Sequence, residues 1–358
     1  MRYFSSHMEH ELQHTIKTLN HYVTTCFGLD LRSKSLSAAE INEVLLSCCA
    51  HNTYVETVSN KADSLYRYIH KSDCSLFTFS YLHFLRQVSR KINLYDKKVV
   101  LAFDYTKETF WGDVQGSIVG TESSEKGTGA FKFLTCSQVS GKLHAKIPLI
   151  SVPAGLGHDK AHLIAYCISL IREYIGEIEL ILFDREFYVK DLMMTLNHLK
   201  LPYLIFVPKK KGMIQETLAS LYTGETITTV HEFDVNKHKT VYHDETTMAF
   251  LKAIFDGETG NYFDWCFVTN LKEFDVNKMI PTYKCRWRIE TGFRVQDEAG
   301  LKSKTIEMNA RYFFFLYEQL LQSIWYVFYK KTCSFKQFII ILHNFIEEGS
   351  PLEGSKVH

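Results

Sequence analysis

Proline is scarce in this 358-residue chain: there are six, and none lies between Pro281 and Pro351. No Pro-rich linker divides the chain, and the stretch after Pro281 is free to be helical. Cysteine is present but unpatterned. Cys26, Cys48, Cys49, Cys74, Cys136, Cys167, Cys266, Cys285 and Cys333 are odd in number and contain no C-x-x-C pair. That excludes any recognisable zinc site or disulfide framework and points to a reducing cytosol. Neither charge sign dominates, with 41 Lys and Arg against 40 Asp and Glu and a net charge of +1. Global charge therefore gives no support to nucleic-acid binding, and such a role must rest on local patches. The N-terminal Met1-Arg2-Tyr3-Phe4-Ser5-Ser6-His7 lacks an apolar signal core. The most apolar run, Phe313 to Tyr317, is cut by Glu318 and Gln319, too short and polar for a membrane span. The expectation is a cytoplasmic protein without membrane contact.

What remains is ordinary for a soluble globular chain: 46% hydrophobic and 23% charged residues, enough for a sizeable core. Residues 1–95 read as helices and form an expected N-terminal helical domain. Ser37-Ala38-Ala39-Glu40 is a capping box, and Ile41, Val44, Leu45 and Cys48 share one face of the helix it opens. The pattern changes at Lys97. Val99 to Phe103 is an apolar run of strand length, and residues 110–119 and 130–137 read as two further strands of an antiparallel meander. A helix after Asp159, a strand over 178–183, a helix over 189–199 and a strand over 203–207 follow as β-α-β, so these strands should be parallel. The fold class predicted is α/β: a mixed sheet with flanking helices. Residues 96–211 and 263–310 form its core, residues 212–262 a β-rich insertion, and residues 311–358 a helical C-terminal region.

Two of the buried-type strands lead into an aspartate, Asp104 and Asp184. A carboxylate leaving such a strand sits at the carboxyl edge of the sheet, where open α/β sheets bind ligands. Each alone is as readily a turn or cap residue. Tyr283-Lys284-Cys285-Arg286-Trp287-Arg288-Ile289-Glu290 reads as part of one helix, with Tyr283, Arg286, Trp287 and Glu290 on a stripe roughly 100° wide. By itself it is better read as an amphipathic helix carrying an ion pair. Three carboxylates brought to one edge would repel one another unless cations neutralised them, and hard oxygen donors suit Mg²⁺ or Mn²⁺.

Asp104 after Val-Val-Leu-Ala-Phe, then Leu182-Phe183-Asp184-Arg185-Glu186-Phe187, then Tyr283-x2-Arg286-x3-Glu290 resembles the DDE transposases of prokaryotic insertion sequences. The resemblance is to the subgroup marked by Tyr-x2-Arg-x3-Glu-x6-Lys, and it spans roughly residues 95–310. It implies a ribonuclease H-like catalytic core with Asp104, Asp184 and Glu290 as catalytic metal ligands for two Mg²⁺ or Mn²⁺ ions. It also implies double-stranded DNA (terminal inverted repeats and target) as partner, and a homodimer on that DNA. Tyr283 and Arg286 would contact phosphates near the cut. Trp287 would stack on an unpaired base or simply fill core. Arg288, Lys302 and Lys304 make the neighbourhood of Glu290 basic, and Lys209-Lys210-Lys211 would grip the backbone or form a solvated turn. One departure stands out: seven residues after Glu290 is Asp297, not Lys, with Lys302 and Lys304 the next candidates. Two other readings compete: an inactive transposase-derived DNA-binding protein, and a ribonuclease H-like nuclease.

Overall fold

The computed structural model describes residues 6–28, 36–58, 60–120, 127–140, 146–155, 157–209, 212–231, 233–234, 241–242 and 246–348. Five helices come first: α1 (Ser6–Phe27), α2 (Ala38–His51), α3 (Val55–Val58), α4 (Ala62–Lys71) and α5 (Cys74–Lys91). The expected capping box opens α2. Ser37 Oγ accepts the Glu40 amide N–H at 3.2 Å, and Glu40 Oε2 accepts the Ser37 amide N–H at 2.8 Å. Two groups that a helix start leaves open are thereby satisfied. The face of Ile41, Val44, Leu45 and Cys48 is buried as expected.

The sheet begins with β1 (Val99–Phe110), β2 (Val119–Gly120), β3 (Gly129–Gln138) and β4 (Ile147–Pro153), all antiparallel about β3. Helix α6 (Lys160–Ile171) leads into β5 (Ile178–Phe183), and α7 (Lys190–His198) links it to β6 (Tyr203–Phe206). β5 and β6 are parallel to β1, as the β-α-β pattern requires. Next come α8 (Met213–Ser220), β7 (Thr226–Val230), a small hairpin of β8 (Phe233–Asp234) and β9 (Val241–Tyr242), then β10 (Thr247–Asp256) and β11 (Asn261–Thr269). Four helices close the chain: α9 (Val276–Lys284), α10 (Trp287–Gln296), α11 (Met308–Ile324) and α12 (Phe335–Glu347). Among the described residues the main sheet has nine strands in the order β2-β3-β1-β5-β6-β11-β10-β7, with β4 also on β3.

Both sheet faces are covered, and the strands show it by alternation. Leu101, Phe103, Ile181, Phe183, Tyr203 and Ile205 enter one core, shared with α1, α2, α5, α11 and α12. Ala102, Leu180, Leu182, Leu204, Trp265 and Phe267 enter a second core beneath α9 and α10.

Several expectations change. The strand expected over 110–119 is absent except at β2, because β1 itself runs on to Phe110 against β3. Asp104 therefore lies inside a strand and not past its end. β4, with Pro148 and Pro153 at either end, was not anticipated. Strands from the segment 212–262 join the main sheet: β7 pairs with β10, β10 with β11, and β11 with β6. The N-terminal helices share one continuous core with the sheet and the C-terminal helices, so residue 95 does not divide the core. The single helix expected around Tyr283–Glu290 is two helices, for a reason that lies in the site.

Candidate active site

Strand periodicity aims both aspartates the same way. Asp104 continues the parity of Ala102, and Asp184 that of Leu182, both of which face α9 and α10. Phe103 is in register with Phe183. The two carboxylates thus leave neighbouring parallel strands at one level, where β5 ends and β1 continues paired only to β3. Asp184 turns the chain by accepting the Arg185 amide N–H at 2.6 Å. Asp104 accepts the Tyr105 amide N–H at 2.9 Å.

The third carboxylate comes from across the core. At Cys285–Arg286 the backbone bonds tighten to i+3 spacing: Arg286 N–H donates to Tyr283 O (2.8 Å), and Ile289 N–H donates to Arg286 O (3.0 Å). This short 3₁₀-type turn separates α9 from α10. It points Arg286 at the sheet. Its guanidinium donates to Asp104 Oδ2 at 2.9 Å and to Glu290 Oε1 at 2.6 Å. The Tyr283 hydroxyl lies 3.5 Å from Asp184 Oδ1, the outer limit of a hydrogen bond. One tyrosine and one arginine therefore reach all three carboxylates.

Electrostatics follow from burial. Desolvation pushes the Asp104 carboxyl up to about 6; Glu290 and Asp184 add to this, while Arg286 and the Tyr105 amide oppose it. Burial also raises the Tyr283 phenol well above its ordinary value. Burial would lower Arg286, but Tyr283 and the carboxylates around it more than offset that, so it stays charged.

Tyr283 and Arg286 were expected to face DNA. They are 2% and 4% exposed, so in the free protein they support carboxylates and do not offer a surface to phosphate. Trp287 leaves their stripe at the tightened turn. It is 39% exposed and lines a separate groove of about 680 Å³ with Phe255, Asp256, Glu258, Lys284 and Arg288. Arg288 donates to Val139 O at 2.6 Å, tying α10 to the end of β3. Lys209 donates to Asp264 O at 2.8 Å, while Lys210 and Lys211 lie outside the described residues.

Lys302 and Lys304 stand apart from the carboxylates, over the Tyr54 ring at 6.0 and 5.5 Å. They line a groove of about 660 Å³ that continues along β1 through Thr106, Glu108 and Trp111 and contains Asp297 and Arg311. The acidic side of this groove was not among the residues expected at a site. Glu108, pushed up to about 7 by burial against the pull of Arg311, follows Asp104 at two-residue steps, and that parity was the available signal. Glu186 pairs with Lys132 (3.0 Å) and Lys160 (3.5 Å), and its carboxyl is lowered by them despite burial.

Among the described residues, no three carboxylate, imidazole or thiol groups stand close enough to share one ion; the Arg286 guanidinium bridges Asp104 and Glu290 instead. The donors themselves fit a hard divalent cation. All are carboxylate oxygens, and a single cationic group, Arg286, offsets only part of their charge.

Two comparisons place the chain among known proteins, and the family match does not extend to Asp104. The family model described as "Transposase DDE domain" matches residues 132–320, more than half of the chain, including Asp184 and Glu290. The cryo-EM structure of the piggyBac transposase synaptic complex with hairpin DNA is similar in fold, with a TM-score of 0.56 at 14% identity. The alignment covers 99% of this chain and 84% of that one. No curated protein matches. A mixed α/β sheet with N-terminal helices is consistent with the ribonuclease H-like transposase fold. By the family match, the chain belongs to the transposase DDE domain family.

Proposed function

We propose that the protein is an insertion-sequence transposase of the Tyr-Arg-Glu-Lys subgroup. It would cut DNA at the ends of its element and join the freed 3′-OH to target DNA. The observation that carries this reading is the placement of Asp104 within β1 and of Asp184 just past the end of the adjacent parallel β5, with Glu290 tied to Asp104 through one guanidinium. Asp104, Asp184 and Glu290 would hold two Mg²⁺ or Mn²⁺ ions, which when bound supply Lewis acidity for in-line phosphoryl transfer. The protein's own part is positional. β1 and β5 fix the spacing of the aspartates, the tightened turn at Cys285–Arg286 presents Glu290, and Tyr283 restrains Asp184.

Duplex DNA would be gripped on both sides of this centre. Lys302 and Lys304, with Lys107 and Arg311, line the groove beyond Asp104, and phosphate contacts there need only local positive charge. Trp287 and Arg288 would meet DNA on the other flank, and Lys209 to Lys211 at the end of β6. Asp297 takes the place of the subgroup's Lys, and Lys302 or Lys304 would serve in its stead. Joining two ends in one event calls for two catalytic centres, hence a homodimer on DNA.

A second reading, a DNA-binding protein without cleavage, draws on Arg286 occupying the space between two of the carboxylates. Labelled duplexes carrying the inverted repeats that flank the gene decide between the two. Nicked ends and strand-transfer products are expected with Mg²⁺, and neither in EDTA or with Asp184→Ala. Tight binding with no metal-dependent product would establish the second reading.

A further inference from the structure

We infer that Arg286 is a counter-ion gate: its guanidinium holds the place of a divalent cation between Asp104 and Glu290, and the site accepts the metal once that guanidinium has passed to the phosphate of bound DNA. This rests on the carboxylate assignment above and adds to it an order of events.

Three observations lead here. The Arg286 side chain is 5% exposed and bonded on both terminal nitrogens, at 2.9 Å to Asp104 and 2.6 Å to Glu290. Nε is buried without a hydrogen-bond partner among the described residues. One N–H of the guanidinium is thus left unsatisfied, a cost that a structural ion pair would normally avoid. Finally, Arg286 sits in the tightened turn between α9 and α10 rather than inside either helix. A change of side-chain direction there need not break a helix.

The charge count sets the logic. Two cations among three carboxylates would leave Arg286 as surplus positive charge beside them. Leaving the site strands a buried guanidinium unless an anion receives it. A phosphodiester meets that need, because Arg pairs with phosphate through two parallel bonds. Metal and DNA affinity should therefore rise together, each ligand favouring the state with Arg286 displaced. Free protein would be protected from loading metal and cutting without a substrate in place.

Mn²⁺ binding read by EPR or calorimetry tests this without recourse to activity. Four proteins are compared: wild type, Arg286→Gln, Arg286→Lys and Asp184→Asn, each with and without a short duplex. Wild type should bind Mn²⁺ about tenfold or more tightly when duplex is present, within the usual range of coupling. Arg286→Gln should bind Mn²⁺ tightly without DNA and gain little from adding it. Arg286→Lys, which keeps the charge but not the paired geometry, should fall between. Wild-type affinity that ignores DNA overturns the gate, a result that needs no variant to fold. So does an Arg286→Gln affinity no tighter than wild type in a variant with an unchanged melting temperature. If Mn²⁺ binding is indifferent to Asp184→Asn, the carboxylate assignment itself fails, an outcome distinct from failure of the gate.

Discussion

His231 is 5% exposed, and its Nε2 lies 2.9 Å from the Tyr188 hydroxyl. Burial, with Lys190 nearby, lowers its pKa from 6.5 to about 4. The sign of the effect on stability is fixed by which state binds the proton. Between about 6.5 and 4 the unfolded chain holds a proton that the folded chain does not, so stability falls as pH falls through that window. His231→Gln should flatten the pH dependence of unfolding between pH 7 and 4 by about 2–3 kcal/mol, seen in urea melts, because each tenfold difference in proton affinity between the two states is worth about 1.4 kcal/mol. A wild-type profile that the substitution leaves unchanged would show that His231 titrates normally. At this scale the sequence was informative about the catalytic candidates. Asp104 and Asp184 each follow an apolar run whose parity aims them, and parity is a local property. The partners of Arg286 were not legible. Asp104 lies 182 residues away from it, and no local pattern reports a contact at that distance. The same holds for the burial of Tyr283 among Phe206, Trp265 and Phe267.

Helix α11 is buried along nearly its whole length, with Phe315 stacked on Phe133 at a centroid distance of 4.3 Å. A polar side chain survives in such a helix only if satisfied. Glu318 accepts the Leu301 amide N–H at 3.0 Å and lies 3.4 Å from the Gln296 carboxamide nitrogen. Burial, with Glu108 also acting, raises its pKa well above the ordinary range and so favours the uncharged carboxyl. A carboxamide has nearly that shape. Glu318→Gln should therefore leave stability within about 1 kcal/mol, whereas Glu318→Ala should lose about 1–3 kcal/mol by stranding the Leu301 amide and opening space in the core. Chemical denaturation of the two variants checks this, and equal losses would contradict it. Element boundaries were legible where chemistry is local, as in the Ser37–Glu40 box and the Asp159 N-cap of α6. They were not where pairing decides. The length of β1 is set by β3, and the split between α9 and α10 accompanies the reach of Arg286 to the sheet.

Across the whole molecule, one core joins the N-terminal helices, the sheet and the C-terminal helices, and among the described residues no helix is long and apolar enough to cross a membrane. The mixed sheet was legible from alternating strand and helix patterns. That β7 and β10 extend it was not, since edge pairing leaves no mark in either strand alone. A net charge of +1 also gave no hint of the polyanionic ligand proposed above; the basic residues assigned to it line the grooves of Lys302 and Trp287. At this scale the decisive proposal is that Asp104, Asp184 and Glu290 act together on DNA. It is tested most directly by single-turnover cleavage of one labelled element end in Mg²⁺, for wild type, Asp104→Asn, Asp184→Asn and Glu290→Gln side by side. Wild type should cleave, and each variant alone should lose about a thousandfold or more, because groups that act as a unit fail together. Wild-type rates in any one of the three would contradict it.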